Sequence, residues 1–148
     1  MICRLALNII ATRLAARTLH VCASPAYLAS RGTPQQPGDL SHHNCLQGTL
    51  DHWRFRQNGR PRQLRVHGSL RCNSGWSLLD AAIKGVGLVQ LPDYYLRTAL
   101  AEETLVPVLE EFQPPEEGVW AVYPPNRHLS SKVRLLLDFL AERLGRSG

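Results

Sequence analysis

His42, His43 and Cys45 stand close together and offer two imidazoles and a thiol, the donor types that hold zinc. A structural zinc also needs a second ligand pair at short spacing, and none occurs. The trio therefore reads as a polar cluster where a loop enters a strand, and no metal is expected. Cys22, Cys45 and Cys72 are the possible nucleophiles, but Cys22 and Cys45 fall in apolar segments where a thiol packs as an inert small hydrophobe. With Cys3 the four cysteines lie far apart and form no C-x-x-C, which points to reduced thiols in a cytoplasmic protein. Gly85-Val86-Gly87 is a fragment of a phosphate loop without its third glycine, and reads as a helix terminator followed by a close-packed strand. G-x-S-x-G, the Walker loop and H-E-x-x-H are absent, so no enzyme and no cofactor are expected.

Two other groups suit binding. Arg54 to Arg71 holds six arginines and no acid, with Trp53 and Phe55 interleaved, the make-up of a platform for single-stranded nucleic acid. Strand alternation sends the aromatics to one face and Arg54 and Arg56 to the other, so a solvated hairpin face is the stronger reading. The second group, at chain reversals, comprises Ser24, Gln47 and Asn73-Ser74-Gly75-Trp76. Ligands of open α/β folds bind at the carboxyl ends of strands, and a helix N-terminus with free N–H groups suits a carboxylate. Ser74 and the following N–H groups could hold such a group, Trp76 could supply an apolar wall, and Gln47 a donor or an acceptor. Equally, Asn73 or Ser74 could merely cap the helix.

These residues need elements to position them. With 148 residues, 44% hydrophobic and 20% charged, the chain fits one ordinary domain whose core needs no covalent staple. Arg4, Arg13 and Arg17 interrupt the only apolar-rich terminus, so no membrane span is expected. The spacing predicts a helical turn or two at 9–16, a strand at 18–23, and a helix from Pro25 to about Ser30 capped by Ser24. A surface loop at 31–38 follows, then a brief strand at 44–47. A hairpin with arms at 53–57 and 63–71 turns around Asn58-Gly59-Arg60-Pro61. Further along come a helix at 76–84 ended by Gly85 and an apolar strand at 86–91, covered on both faces as in parallel sheets. A helix at 93–101, strands at 105–109 and 119–123, and a final helix complete the reading. In that helix Val133, Leu136, Leu137, Leu140 and Leu144 recur at helical spacing, which predicts a buried stripe with Leu136 and Leu140 in the core. The alternation argues for an α/β layered fold with a mixed sheet.

Several motifs also occur in a familiar order: C-A-S-P-A-Y-L (22–28), G-T-P-Q-Q-P-G-D-L (32–40), H-H-N-C-L (42–46) and W-R-F (53–55). N-S-G-W-S-L-L-D-A-A-I-K-G-V-G-L-V-Q-L-P (73–92), L-V-P-V-L (105–109) and A-V-Y-P-P-N-R-H-L-S-S-K-V-R (121–134) continue the series. From about Ile9 to Leu144 the chain resembles the C-terminal half of the effector-binding domain of LysR-type transcriptional regulators. The resemblance implies a type 2 periplasmic-binding-protein-like α/β fold, with a small effector held between two subdomains joined by crossing strands. It places the N-terminal segment and first crossing strand at 1–24, a complete second subdomain at 25–118, and the return strand with the C-terminal helix at 119–148. The first subdomain would be a remnant, and the winged helix-turn-helix that carries DNA binding in the family has no counterpart here.

On that footing the effector, a carboxylate or an aromatic, would be met by Ser24 at the crossing, by Leu46 and Gln47, and by Asn73, Ser74 and Trp76. The resemblance further implies association with a second copy or with a full-length LysR-type paralogue, and a role in the cytoplasm without chemistry or membrane contact. The rival reading is a stand-alone small-molecule-binding or protein-interaction module.

Overall fold

The structure, a computed structural model, describes residues 2–5, 9–125 and 129–145, the first stretch by its backbone only. In chain order the described elements begin with β1 (Ile2–Leu5), β2 (Ile9–Arg17), β3 (Leu19–Ala23), α1 (Pro25–Arg31), β4 (His52–Gln57) and β5 (Arg60–Arg65). They continue with α2 (Gly75–Ile83), β6 (Val89–Pro92), α3 (Asp93–Ala101), β7 (Val106–Val108), β8 (Glu117–Tyr123) and α4 (Ser131–Gly145). Two compact units result, one of β1, β2, β8 and α4, the other of residues 18–115.

In the larger unit β3 is the middle strand of the order β6-β3-β7, antiparallel to both neighbours, with Cys22 opposite Val89 and Val21 opposite Val108. Its period of two divides the core. Val21 and Ala23 join Tyr27, Leu40, Trp53, Phe55, Leu88 and Val108 on one side, and Cys22 joins Leu46, Leu78, Ala82, Val89, Leu91 and Leu96 on the other. The expected coverage of both faces is present, but the named strands pair antiparallel, and parallel geometry is confined to the single bridges Cys45–Leu88 and Gln47–Arg71. Burial of both faces requires a layer on each side and leaves strand direction open. The strand at 19–23, grouped above with the N-terminal segment, makes its ladder with β6 and β7 of this unit.

Local signals explain most of the elements. Ser24 Oγ accepts the Tyr27 N–H at 3.1 Å, Pro25 occupies the first helical turn, and Gly32 at φ 83° ends α1. The hairpin is tighter than expected: Asn58 and Gly59 both take positive φ, the two-residue turn whose twist matches the strands. Pro61 falls inside β5, an edge strand where its missing N–H is harmless. Gln90 fastens the hairpin by imitating a strand, its Oε1 accepting the Arg54 N–H at 3.0 Å and its Nε2 donating to the Arg54 carbonyl at 2.7 Å.

In the smaller unit the expectation of a helix at 9–16 is corrected. The stretch is β2, paired with β1 on one edge and β8 on the other, from Ile10 opposite Tyr123 to Arg17 opposite Glu117. Helix-favouring Ala, Leu and Arg lose here to ladder pairing with residues about a hundred positions away, which no local pattern reports. α4 forms where expected and packs on β2, with Val133 N–H bonded to Ser130 Oγ at 3.3 Å. Its stripe is not core within this unit: Leu137 and Leu140 are half-buried, and Leu136 is 54% exposed.

Candidate functional site

The start of α2 is where sequence-predicted residues gather. The Gln47 N–H donates to the Leu70 carbonyl and the Cys72 N–H to the Gln47 carbonyl, each at 2.9 Å, which sets Gln47 beside the approach to Asn73 and Ser74. Ser74 Oγ accepts the Ser77 N–H at 3.3 Å, so the cap reading of Ser74 holds, while the first-turn N–H groups remain at the helix mouth. Trp76 is 63% exposed and lies edge-on to Tyr95, with ring centroids 4.8 Å apart. Tyr95 in turn covers Gly75, where a Cβ would come within 2.5 Å of the ring, so glycine is what lets the aromatic pair seat there. Gln47 Nε2 donates to the Val66 carbonyl at 2.6 Å, which orients the carboxamide and keeps its oxygen as an acceptor.

Ser24 and Leu46 are placed differently. Ser24 is 3% exposed, its hydroxyl serves α1, and it lies against Gly85 at the far end of α2. Nine helical residues separate the two ends by roughly 13 Å. Leu46 is 1% exposed, within the core cluster of α2 and β6, and its N–H donates to the Leu88 carbonyl at 2.8 Å. The Gln47 backbone is thus bonded to Cys72, next to Asn73, Ser74 and Trp76 at the start of α2, while Ser24 lies against the other end of that helix and Leu46 is buried in the core.

The other reactive side chains are committed to structure. Burial pushes the Cys45 thiol up to about 12; burial, with Glu110 nearby, does the same to Cys22. A thiol so protonated is no nucleophile. Among the described residues no group of three or more His, Cys, Asp or Glu is placed to hold a metal ion. A recess between His20, Phe55, Gln90, Val108 and Glu110 encloses about 10 Å³, space for one water and not for an effector.

The Tyr27 hydroxyl accepts the Asn44 N–H and is hydrogen-bonded to His43 Nδ1, each at 3.0 Å. Burial, with the Arg31 charge adding to it, holds the His43 pKa below its ordinary value. A histidine depressed in the folded state contributes stability above its unfolded pKa of about 6.5, and loses it as pH falls toward the folded value. Melting temperature should therefore drop on acidification from about pH 7 to pH 5, and His43→Gln should flatten that part of the profile. An identical slope in the variant would refute the assignment.

Two supporting residues had no sequence signal. Asn44 Nδ2 donates to the Val86 carbonyl and to Ser69 Oγ, both at 2.8 Å, and its Oδ1 accepts the Ser69 N–H at 2.7 Å. Tyr95 meets Trp76 from a different helix. In both cases the partners lie well outside any helical or strand period.

The comparisons with known proteins accord with this fold. Residues 6–145 match the family model described as the LysR substrate binding domain, and the chain belongs to that family. A Haemophilus influenzae protein named an uncharacterized HTH-type transcriptional regulator is 32% identical over 130 residues, 85% of this chain and 45% of that protein. The HTH-type transcriptional regulator CrgA of Neisseria meningitidis serogroup B is 35% identical over 132 residues, 85% of this chain and 44% of CrgA. The solved regulatory domain of Neisseria meningitidis CrgA superposes with a TM-score of 0.78 at 31% identity, covering 95% of this chain and 71% of that one. Full-length AphB, the Vibrio cholerae virulence activator, superposes at 0.80 with 25% identity over 97% of this chain and 50% of its own. The fold is that of LysR regulatory domains, the type 2 periplasmic-binding-protein-like class. The chain spans about half the length of these full-length regulators. They are named as regulators of transcription and not as enzymes. No described helix is long and apolar enough to cross a membrane.

Proposed function

We propose that this chain is the effector-sensing part of a LysR-type regulator and that the mouth of α2 supplies one wall of its effector site. The observation that carries the reading is the start of α2, where Ser74 caps the helix, Trp76 stands exposed against Tyr95, and the Gln47 backbone is bonded to Cys72 just ahead of Asn73. A carboxylate meets the N–H groups and the positive end of the helix, and an apolar or aromatic body meets the indole. Ser24 and Leu46 act from behind this wall, Ser24 by fixing α1 against Gly85 and Leu46 by seating α2 on β6. Nothing here ionises or attacks, so the activity is binding without turnover, in the cytoplasm, with the effector shifting populations between conformers. Sequence-specific DNA contact belongs to the helix-turn-helix part of a full-length regulator. The exposed Ile83 and Val86 at the end of α2 suit contact with a second copy or a full-length relative.

Titration with a panel of small carboxylates and aromatic acids tests this. An open wall should bind at about millimolar Kd, near −4 kcal/mol, and Trp76→Ala should weaken binding about tenfold. Binding indifferent to that substitution, or turnover of any compound, would contradict the reading.

A further inference from the structure

The formal charge of the chain is +5, and residues 51–71 account for all of it: six arginines stand there against Asp51 alone, while the remaining residues hold eleven charges of each sign. The cations of this stretch are all arginine, the side chain whose planar fork pairs bidentately with phosphate. Register fixes where they sit. Arg60 is opposite Gln57, Arg56 opposite Pro61 and Arg62 opposite Phe55, the three pairs next to the Asn58-Gly59 turn. Paired residues share a face, so Arg56 projects from one face of the ribbon and Arg60 and Arg62 from the other. All three are exposed, with the Arg62 guanidinium bonded to neutral Gln57.

A prong that is cationic on both faces does not suit a flat acidic protein surface, which would meet one face and leave the other unused. A groove walled on both sides by phosphates meets both. Two strands about 4.8 Å apart fit the major groove of a duplex, about 12 Å wide, which admits a β-ribbon. Trp53 and Phe55 are buried at 4% and 2% exposure, so no aromatic is offered for stacking on single-stranded bases, and contact falls on the duplex backbone. We infer that the hairpin tip, through Arg56, Arg60 and Arg62, docks on the phosphate backbone of duplex DNA without sequence preference. This surface is separate from the mouth of α2 and does not rest on the effector reading.

Fluorescence anisotropy of a labelled random duplex of about 20 base pairs, titrated with the full chain between about 20 and 200 mM salt, tests it. Three arginines on phosphates give a log-log salt slope of about −2.7. The variant carrying R56Q, R60Q and R62Q should lose that slope with its circular dichroism unchanged, R60Q alone should reduce it by about 0.9, and Lys132→Gln on α4 should leave it intact. No binding at about 20 mM salt, or a slope that survives the triple variant, would overturn the proposal. So would preference for one duplex by about a thousandfold, the scale of true specificity. Binding of a glutamate-rich peptide but not of the duplex would assign the surface to an acidic protein and overturn it equally.

Discussion

Phe55→Ala should destabilise the chain by about 3–5 kcal/mol, the range for removing a buried aromatic side chain. Phe55 is 2% exposed in the cluster of Val21, Tyr27, Leu40, Leu88 and Val108, and with Trp53 it is the apolar anchor of the hairpin on the sheet. Truncation leaves a cavity that the neighbouring strands cannot close, because Gln90 pins the adjacent Arg54 backbone from β6. Against a total stability of about 5–15 kcal/mol for a domain, such a loss approaches global unfolding. Urea denaturation reads it directly, with Leu136→Ala on the exposed side of α4 as the control, expected within about 0.5 kcal/mol. A Phe55→Ala effect below about 1 kcal/mol would mean that the hairpin is not docked as described.

The second large effect is expected at Gly87. A Cβ there would lie 2.3 Å from the Asn44 carbonyl oxygen, and that carbonyl accepts the Leu88 N–H at 2.9 Å. Segment 44–47 is held from both sides, by Leu88 on one and by the His67 and Leu70 carbonyls on the other, and Gly68 makes an equally close approach to Cys45. Backbone cannot give way there without breaking these bonds, so Gly87→Ala should cost about 3 kcal/mol, the upper end of the usual overpacking penalty. In a unit of this size that lowers the melting temperature by roughly 12–24 °C. A shift of less than about 2 °C would show that the two segments do not approach so closely.

Much of the fold was legible because the signals were local. Ser24-Pro25 announced α1, Asn58-Gly59 with alternating Trp53 and Phe55 announced the hairpin, and Gly85 marked the end of α2. What local pattern could not supply was the partner. Ile9 to Ala16 reads as helix until β1 and β8 pair with it, and the leucine stripe of α4 gives a face without saying what lies against it. The same holds at the site. Ser74 and Trp76 could be placed at a helix start from sequence, but the support of Trp76 by Tyr95 and the tethering of Gln47 to residues 66–72 depend on tertiary register. Ser24, singled out as a polar residue at a chain reversal, gives its hydroxyl to the cap of α1 and lies against Gly85, at the other end of α2 from Ser74, a placement that only tertiary structure supplies.

The central claim, that the mouth of α2 receives a small effector, is tested most directly by mapping backbone amide shifts of the chain as small carboxylates and aromatic acids are added. The account predicts saturable shifts at Gln47 and at Asn73 to Ser77, with Tyr95 following through the Trp76 ring. Shifts confined to the 54–71 hairpin, or spread evenly over the surface without saturation, would contradict it.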